Sequence, residues 1–239
     1  MAMMRNLILL LAALILPVTA TAGVVVGGLR FIYPQRAKSL SVSLRNTANA
    51  PYLVQSKILP DDAQDSPGLL TSTPKLAKVP FIVTPPLFLM PGQNEHQLRI
   101  IATGNIPQDR ESLFWLSVSA IPSVNDAEKS RVLIAFRQQV KLIWRPDALA
   151  EKQGELRWQR HQRDVIVSND SAWYVTLAGM QINGKALTGG MVPPFSRRQQ
   201  PWCPATGKCT ISWQDMDDMG QKKTARACHL IKHVLIWTG

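Results

Sequence analysis

The 239-residue chain lacks most of what a catalyst or a membrane protein needs. Beyond its first 22 residues no apolar run approaches the roughly 20 residues that a membrane-spanning helix requires. There is no G-x-S-x-G, no Gly-rich phosphate loop followed by Lys and Ser/Thr, and no H-E-x-x-H, so the familiar hydrolase, nucleotide and zinc-protease arrangements are missing. No C-x-x-C occurs among its 3 cysteines, which removes the usual dithiol redox motif. His229 and His233 would share a face if helical, but Leu230-Ile231-Lys232 and the VLIW that follows favour strands, and no Glu stands where a metalloprotease needs one. The chain therefore reads as a non-enzyme without metal or cofactor. Its 27 Lys plus Arg against 16 Asp plus Glu form no basic block and no interleaved aromatic motif. That pattern argues against nucleic acid and leaves a solvated basic surface or an anionic partner group. Fixed-period repeats, low-complexity segments and helix-period runs are absent as well.

What is present begins with an export signal. Arg5, the apolar run LILLLAALIL from Leu7 to Leu16 and the small residues Ala20-Thr21-Ala22 fit a cleaved signal peptide over residues 1–22. The mature chain is expected to start at Gly23, with a net charge of +10 once Arg5 is removed from the total of +11. In a Gram-negative host its destination is the periplasm.

Strand signals fill the remainder. LSVSL (Leu40–Leu44) alternates strictly, PYLVQSKIL follows, FIVTPP leads into LFLMPGQNEHQLRIIA with a Pro91-Gly92 turn, and ESLFWLSVSAIP runs from Glu111 to Pro122. RVLIAFRQQVKLIWRP (Arg131–Pro146) is longer and greasier than one core needs. Val132, Ile134, Phe136, Val140, Leu142 and Trp144 line one face, while Leu133, Ala135 and Ile143 make the other partly apolar. These runs predict an antiparallel β-sandwich ending near Pro146. DALAEKQGEL then reads as a polar linker with a helical turn. RDVIVSND, AWYVTLAGMQI, MVPPFSRR, CTISWQDM, TARACHL and HVLIW predict a second sandwich over residues 147–239. Cys203 and Cys209 flank the turn-like PATGK and are close enough for a local disulfide, with Cys209–Cys228 as the alternative.

Several segments together carry a resemblance: GLRFIYPQRAKSLSVSLRN, VTPPLFLMPGQNEHQLRI, PQDRESLFWLSVSAIP and the long strand closing on KLIWRP, in that order and spacing. The chain resembles the periplasmic chaperones of the chaperone/usher pathway, which escort pilus or fimbrial subunits. The short turn SVNDAEKS before the long strand is similar to the subclass serving rod-like fimbriae. The second half matches more loosely, through NDSAWYVTLAGM and VPPFS.

The resemblance implies an all-β protein of two immunoglobulin-like domains arranged in an L, residues 23–146 and 147–239. It implies two partners, a fimbrial subunit and an outer-membrane usher. The long strand is then donated to a subunit whose own sandwich lacks one, a form of β-augmentation, with Val132, Ile134 and Phe136 filling the subunit's groove. Arg30 and Lys141 correspond to the family's pair of cations for the subunit's C-terminal carboxylate. Glu111, Arg145 and Asp218 correspond to its interdomain salt-bridge set, with Asp217 able to take the place of Asp218. The reading from another class is a secreted structural or adhesive β-sandwich such as a fimbrial subunit, which would more naturally be one incomplete sandwich without the Arg30 and Lys141 pair.

Overall fold

The computed structural model of the chain describes residues 23–61, 79–123, 134–150 and 154–230. Alternation in the sequence becomes alternation of burial. In the first domain β1 (Val24–Val26), β2 (Arg30–Pro34), β3 (Leu40–Asn46), β4 (Tyr52–Pro60), β5 (Phe81–Thr84), β6 (Leu87–Met90), β7 (Glu95–Ala102), β8 (Ser112–Pro122) and β9 (Phe136–Arg145) form two sheets. One has the order β1-β3-β7-β5 and the other β2-β9-β8-β4-β6. Val42 and Leu44 of β3 point inward while Ser41, Ser43 and Arg45 point out, and Val54, Ser56 and Ile58 of β4 do the same against Leu53, Gln55 and Lys57. Between the sheets lie Leu98, Ile100, Phe114, Leu116 and Leu142, closed at one end by Tyr33 and Trp144 with ring centroids 5.4 Å apart.

One pairing departs from the antiparallel expectation: β2 runs parallel to β9, with Arg30 opposite Lys141 and Pro34 opposite Arg145. The chain leaves β1 at Gly27-Gly28 and crosses to the other sheet. Gly27 donates to the Ser43 carbonyl (2.9 Å), and a Cβ there would lie 2.2 Å from Ser43 Oγ, so a larger residue at the crossing would have to displace the Ser43 hydroxyl.

A turn of 3-10 helix (Asp147–Leu149) leads into the second domain, as the sequence suggests. There β10 (Leu156–His161), β11 (Asp164–Asn169), β12 (Val175–Ile182), β13 (Lys185–Ala186), β14 (Gly190–Val192), β15 (Ser196–Gln200), β16 (Cys209–Met216) and β17 (Lys222–Leu230) build sheets of order β10-β11-β15 and β13-β12-β16-β17, with β14 also beside β12. Val165, Val167, Leu177, Met180, Val192 and Ile211 form their core, and Trp158 lies on Trp213 at 5.1 Å.

Two readings change. β10 begins at Leu156, where the polar linker was expected to end, and its strand character is masked because Arg160 faces inward. That buried guanidinium donates to the carbonyls of Gln162 (2.8 Å), Gly207 (2.8 Å) and Pro204 (2.9 Å), satisfying a cation without a carboxylate. MVPPFSRR is two strands, β14 and β15, divided at its prolines. HVLIW, with His233, lies outside the described residues. Cys203 and Cys209 are disulfide-bonded. Cys228 is free and half-buried, facing Ile211 across the sheet, and burial pushes its thiol above the usual value.

Candidate functional site: an open strand edge and an interdomain cleft

The site is built on β9. On one side this strand pairs with β8 from Phe136 to Trp144, while β2 covers the other side only from Lys141 to Arg145. The last link of that second ladder is the Lys141 N–H donating to the Leu29 carbonyl (3.2 Å). Among the described residues no strand pairs with the outer edge of residues 136–140. What approaches it is a side-chain bond, Gln138 Oε1 accepting from the Val26 N–H (3.1 Å).

The row of side chains on this strand changes role along its length. Trp144, Leu142 and Val140 are buried in the first domain's core, Gln138 is half-buried, and Phe136 is 49% exposed. Ile134, just before the strand, is 62% exposed. Large apolar side chains continuing a core row past the end of the core are the surplus noted in the sequence. Val132 lies outside the described residues.

The opposite face of β9 looks into a joint with the second domain. Ile143 packs with Leu113 and with Tyr174, joined by Ile32, Trp115 and Met191. The side chains of Arg30 and Lys141 are in register on that same face, brought together from positions 111 residues apart by the parallel pairing. The Lys141 ammonium lies 5.9 Å over the Trp115 ring. Burial holds Lys141 below the ordinary lysine value and the Arg30 charge lowers it further, with Asp61 pulling the other way. Burial also lowers Arg30, against the raising influence of Asp218. Two mutually repelling, partly desolvated cations are a receptive place for an anion. Arg30 is already engaged across the joint: Nη1 donates to the Asp217 carbonyl (3.2 Å) and Nη2 to Thr176 Oγ1. The cleft of about 220 Å³ beside it is lined by Arg30, Arg145, Thr176, Asp217 and Asp218, among others.

The third group of sequence-selected residues meets in space. Arg145 Nε donates to Glu111 Oε1 (2.6 Å), and its two terminal nitrogens donate to Asp218 at 2.6 and 2.9 Å. Glu111 Oε2 accepts the Tyr174 N–H (2.7 Å). Asp218, not Asp217, is therefore the partner of Arg145. Glu111 is buried, which raises its carboxyl above the usual range despite Arg145 and the Tyr174 amide. The hydrogen bond from Arg145 holds Asp218 below that range. Burial works against the Arg145 charge, but its hydrogen bond to Asp218 and its attraction to Glu111 raise its pKa overall.

A chain of two such β-sandwiches has known counterparts. Residues 23–150 match the family described as pili and flagellar-assembly chaperone, PapD N-terminal domain, and residues 151–227 match the pili assembly chaperone PapD, C-terminal domain. The chain belongs to the pilus-assembly chaperones. It is 38% identical over 206 residues to the fimbrial chaperone YcbF of Escherichia coli K12, covering 83% of this chain and 85% of that protein. Against the chaperone protein FimC of the same strain the identity is 33%, with 89% and 87% covered. Among solved structures, the Salmonella enterica SafA pilin in complex with the SafB chaperone matches with a TM-score of 0.71 at 31% identity, covering 89% of this chain and 99% of that one. The Escherichia coli chaperone DraB matches with a TM-score of 0.69 at 30% identity, covering 87% and 98%. Among the described residues of this chaperone no helix is long and apolar enough to cross a membrane.

Sequence reasoning missed two features of the chaperone's surface. Thr176 and the Asp217 carbonyl, which hold Arg30, carry no signal in a linear sequence. An aliphatic patch also lies on the outer face of the β4-β6-β8 sheet: Leu53 is directly opposite both Leu89 and Ile121, with Leu87 two residues along, and all four are exposed. The alternation of β4 and β6 already placed these leucines outward, and that was the available clue.

Proposed function

We propose that this chain is a periplasmic chaperone that captures a fimbrial subunit on the open edge of β9 and passes it to an outer-membrane usher. The observation that carries this reading is the uncovered backbone of residues 136–140 beside the exposed Ile134 and Phe136. A subunit strand laid along that edge satisfies backbone donors and acceptors that otherwise face water, and the apolar row enters the subunit's groove. Each large apolar side chain so buried contributes roughly 1.5–3 kcal/mol before ordering costs. Val132 extends the row in this proposal.

Arg30 and Lys141 receive the subunit's terminal carboxylate and thereby fix the register of the added strand. The parallel pairing of β2 with β9 puts both cations on one face, and desolvation makes a charge-assisted contact there stronger than a neutral one. Arg30 exchanges its contacts with Thr176 and Asp217 for the carboxylate. Glu111, Arg145 and Asp218 hold the second domain against the first so that the cleft is preformed. With the donor edge occupied, the exposed Leu53, Leu87, Leu89 and Ile121 remain as an apolar surface for the usher.

The test is co-expression with a fimbrial subunit. A soluble one-to-one complex, with the subunit insoluble when expressed alone, is expected. A subunit that is equally soluble without the chaperone, or a chain that itself polymerises into fibres, would instead favour a structural fimbrial protein.

A further inference from the structure

Among the described residues each domain contains one fully buried asparagine, and the two make the same bonds. Asn46, ending β3, donates from Nδ2 to the carbonyls of Ala50 (2.9 Å), Met90 (3.5 Å) and Pro91 (2.9 Å) and accepts at Oδ1 from the Ala48 N–H (3.0 Å). Asn169, ending β11, donates to Trp173 (2.7 Å), Val192 (3.1 Å) and Pro193 (2.9 Å) and accepts from the Ser171 N–H (3.1 Å). Ser171 Oγ adds a donor to that oxygen at 2.5 Å. Each turn is tied from the far side too: Gln93 donates to the Ala48 carbonyl (2.9 Å) and Phe195 to the Ser171 carbonyl (3.2 Å), and these two donors share a left-handed backbone, φ 52° and 50°. Linear repeats do not reveal the correspondence, because the distant carbonyl lies 44 residues on in one domain and 23 in the other.

The corners differ in what they touch. The first ends in exposed residues 49–51. The second carries much of the interdomain joint. The Ala172 carbonyl accepts the Glu111 N–H (2.9 Å), the Tyr174 N–H donates to the Glu111 carboxylate, and Trp173 Nε1 donates to the Leu149 carbonyl (3.1 Å) in the turn that connects the domains. Thr176 receives Arg30, and the Phe195 ring lies 4.9 Å beneath the Arg110 guanidinium. The hydrogen bonds of Asn169 reach none of the first domain's described residues, yet they bind the backbone on both sides of the segment that does.

We propose that Asn169 is a positioning residue for the joint, a corner common to both sandwiches that in the second domain presents residues 172–176 to the first. Without its amide, the carbonyls of Trp173, Val192 and Pro193 lose their shared donor and the Ser171 N–H loses its acceptor inside the protein. The segment then loses its set, and the second domain no longer holds one orientation. That orientation effect stands by itself. Its consequence, a cleft in which Thr176 and Asp218 no longer frame Arg30, rests on the reading above in which this cleft takes the fimbrial partner.

Residual dipolar couplings of the full mature chain, measured for wild type, Asn169→Ser and Asn46→Ser, test this. In the wild type and in Asn46→Ser both domains are expected to share one alignment tensor. In Asn169→Ser each domain should still fit its own structure while the two tensors diverge, and affinity for the fimbrial subunit should fall about tenfold, the scale of one buried polar group left unpaired. If Asn169→Ser does not fold, Asn169→Asp, which keeps an acceptor for the Ser171 N–H and removes the donor shared by the three carbonyls, is measured in its place, and diverging or shared tensors there carry the same meaning. A single shared tensor in the folded variant overturns the proposal whatever happens to affinity. Diverging tensors with undiminished affinity support the positioning role and count against the cleft as the site where the fimbrial partner is held.

Discussion

At the scale of single residues, function depends on charges held where water is scarce. Arg30 and Lys141 face one direction from neighbouring strands and each is partly desolvated. Removing either leaves the partner carboxylate short of one cation in a site where it has already lost its water, so Arg30→Ala and Lys141→Ala should each weaken binding of the subunit by about 2–5 kcal/mol. Because both cations act on one carboxylate, the double variant should lose less than the sum. Isothermal titration with a peptide that reproduces the C-terminus of the fimbrial partner measures all three, and strictly additive losses would assign the cations to separate contacts. Acid behaviour follows from the salt-bridge set, with opposite signs for its carboxylates. Asp218 has a lowered folded pKa, so the stability it adds is present above the ordinary carboxylate range and is lost as the pH falls through its lowered value. Glu111 has a raised one, so its ionisation costs stability as the pH rises through that value. Denaturant midpoints of wild type and Asp218→Asn should therefore differ near neutrality and converge in acid. The difference is modest because Asp218 is about half-exposed.

At the scale of elements, β9 is core at one end and open at the other, and the transition is set by where β2 stops covering it. Replacing Ile134 and Phe136 together with Ser should leave the circular dichroism spectrum and thermal midpoint nearly unchanged, since neither side chain is in the core, while abolishing the solubilising effect on a co-expressed subunit. Unfolding of the variant would place those side chains in the chaperone's own core. Much of this element level was legible in the sequence. Strict alternation marked β3, β-like runs marked β4 and β7, and a strand apolar on both faces marked β9 as having more than one contact surface, which proves to be a core on one face and the Ile143 joint on the other. What stayed hidden was non-local. The parallel course of β2 decides both the juxtaposition of Arg30 with Lys141 and the length of the open edge, and no periodicity records it. β10 escaped because an inward Arg160, satisfied by three carbonyls, breaks the apolar row that strand recognition depends on. The site cations came from family motifs and not from pattern.

At the scale of the whole molecule, two sandwiches serve one cleft, so the joint matters as much as either fold. Arg145→Ala leaves Glu111 buried without its hydrogen-bonded cation, whereas Asp218→Asn leaves a half-exposed position merely neutral. Denaturant unfolding should therefore show a loss of about 3–5 kcal/mol for the first and under about 1 kcal/mol for the second. Equal losses would mean the set acts as a surface network and not as a buried anchor. The central claim is that a strand of the fimbrial partner completes the sheet at β9. Hydrogen exchange of the chaperone, free and in complex with its subunit, tests it most directly. Alternate backbone amides within residues 136–140, those pointing away from β8, should become strongly protected on binding while the exchange of β3 and β7 stays as it was. Unchanged exchange at residues 136–140 in a stable complex would contradict the account.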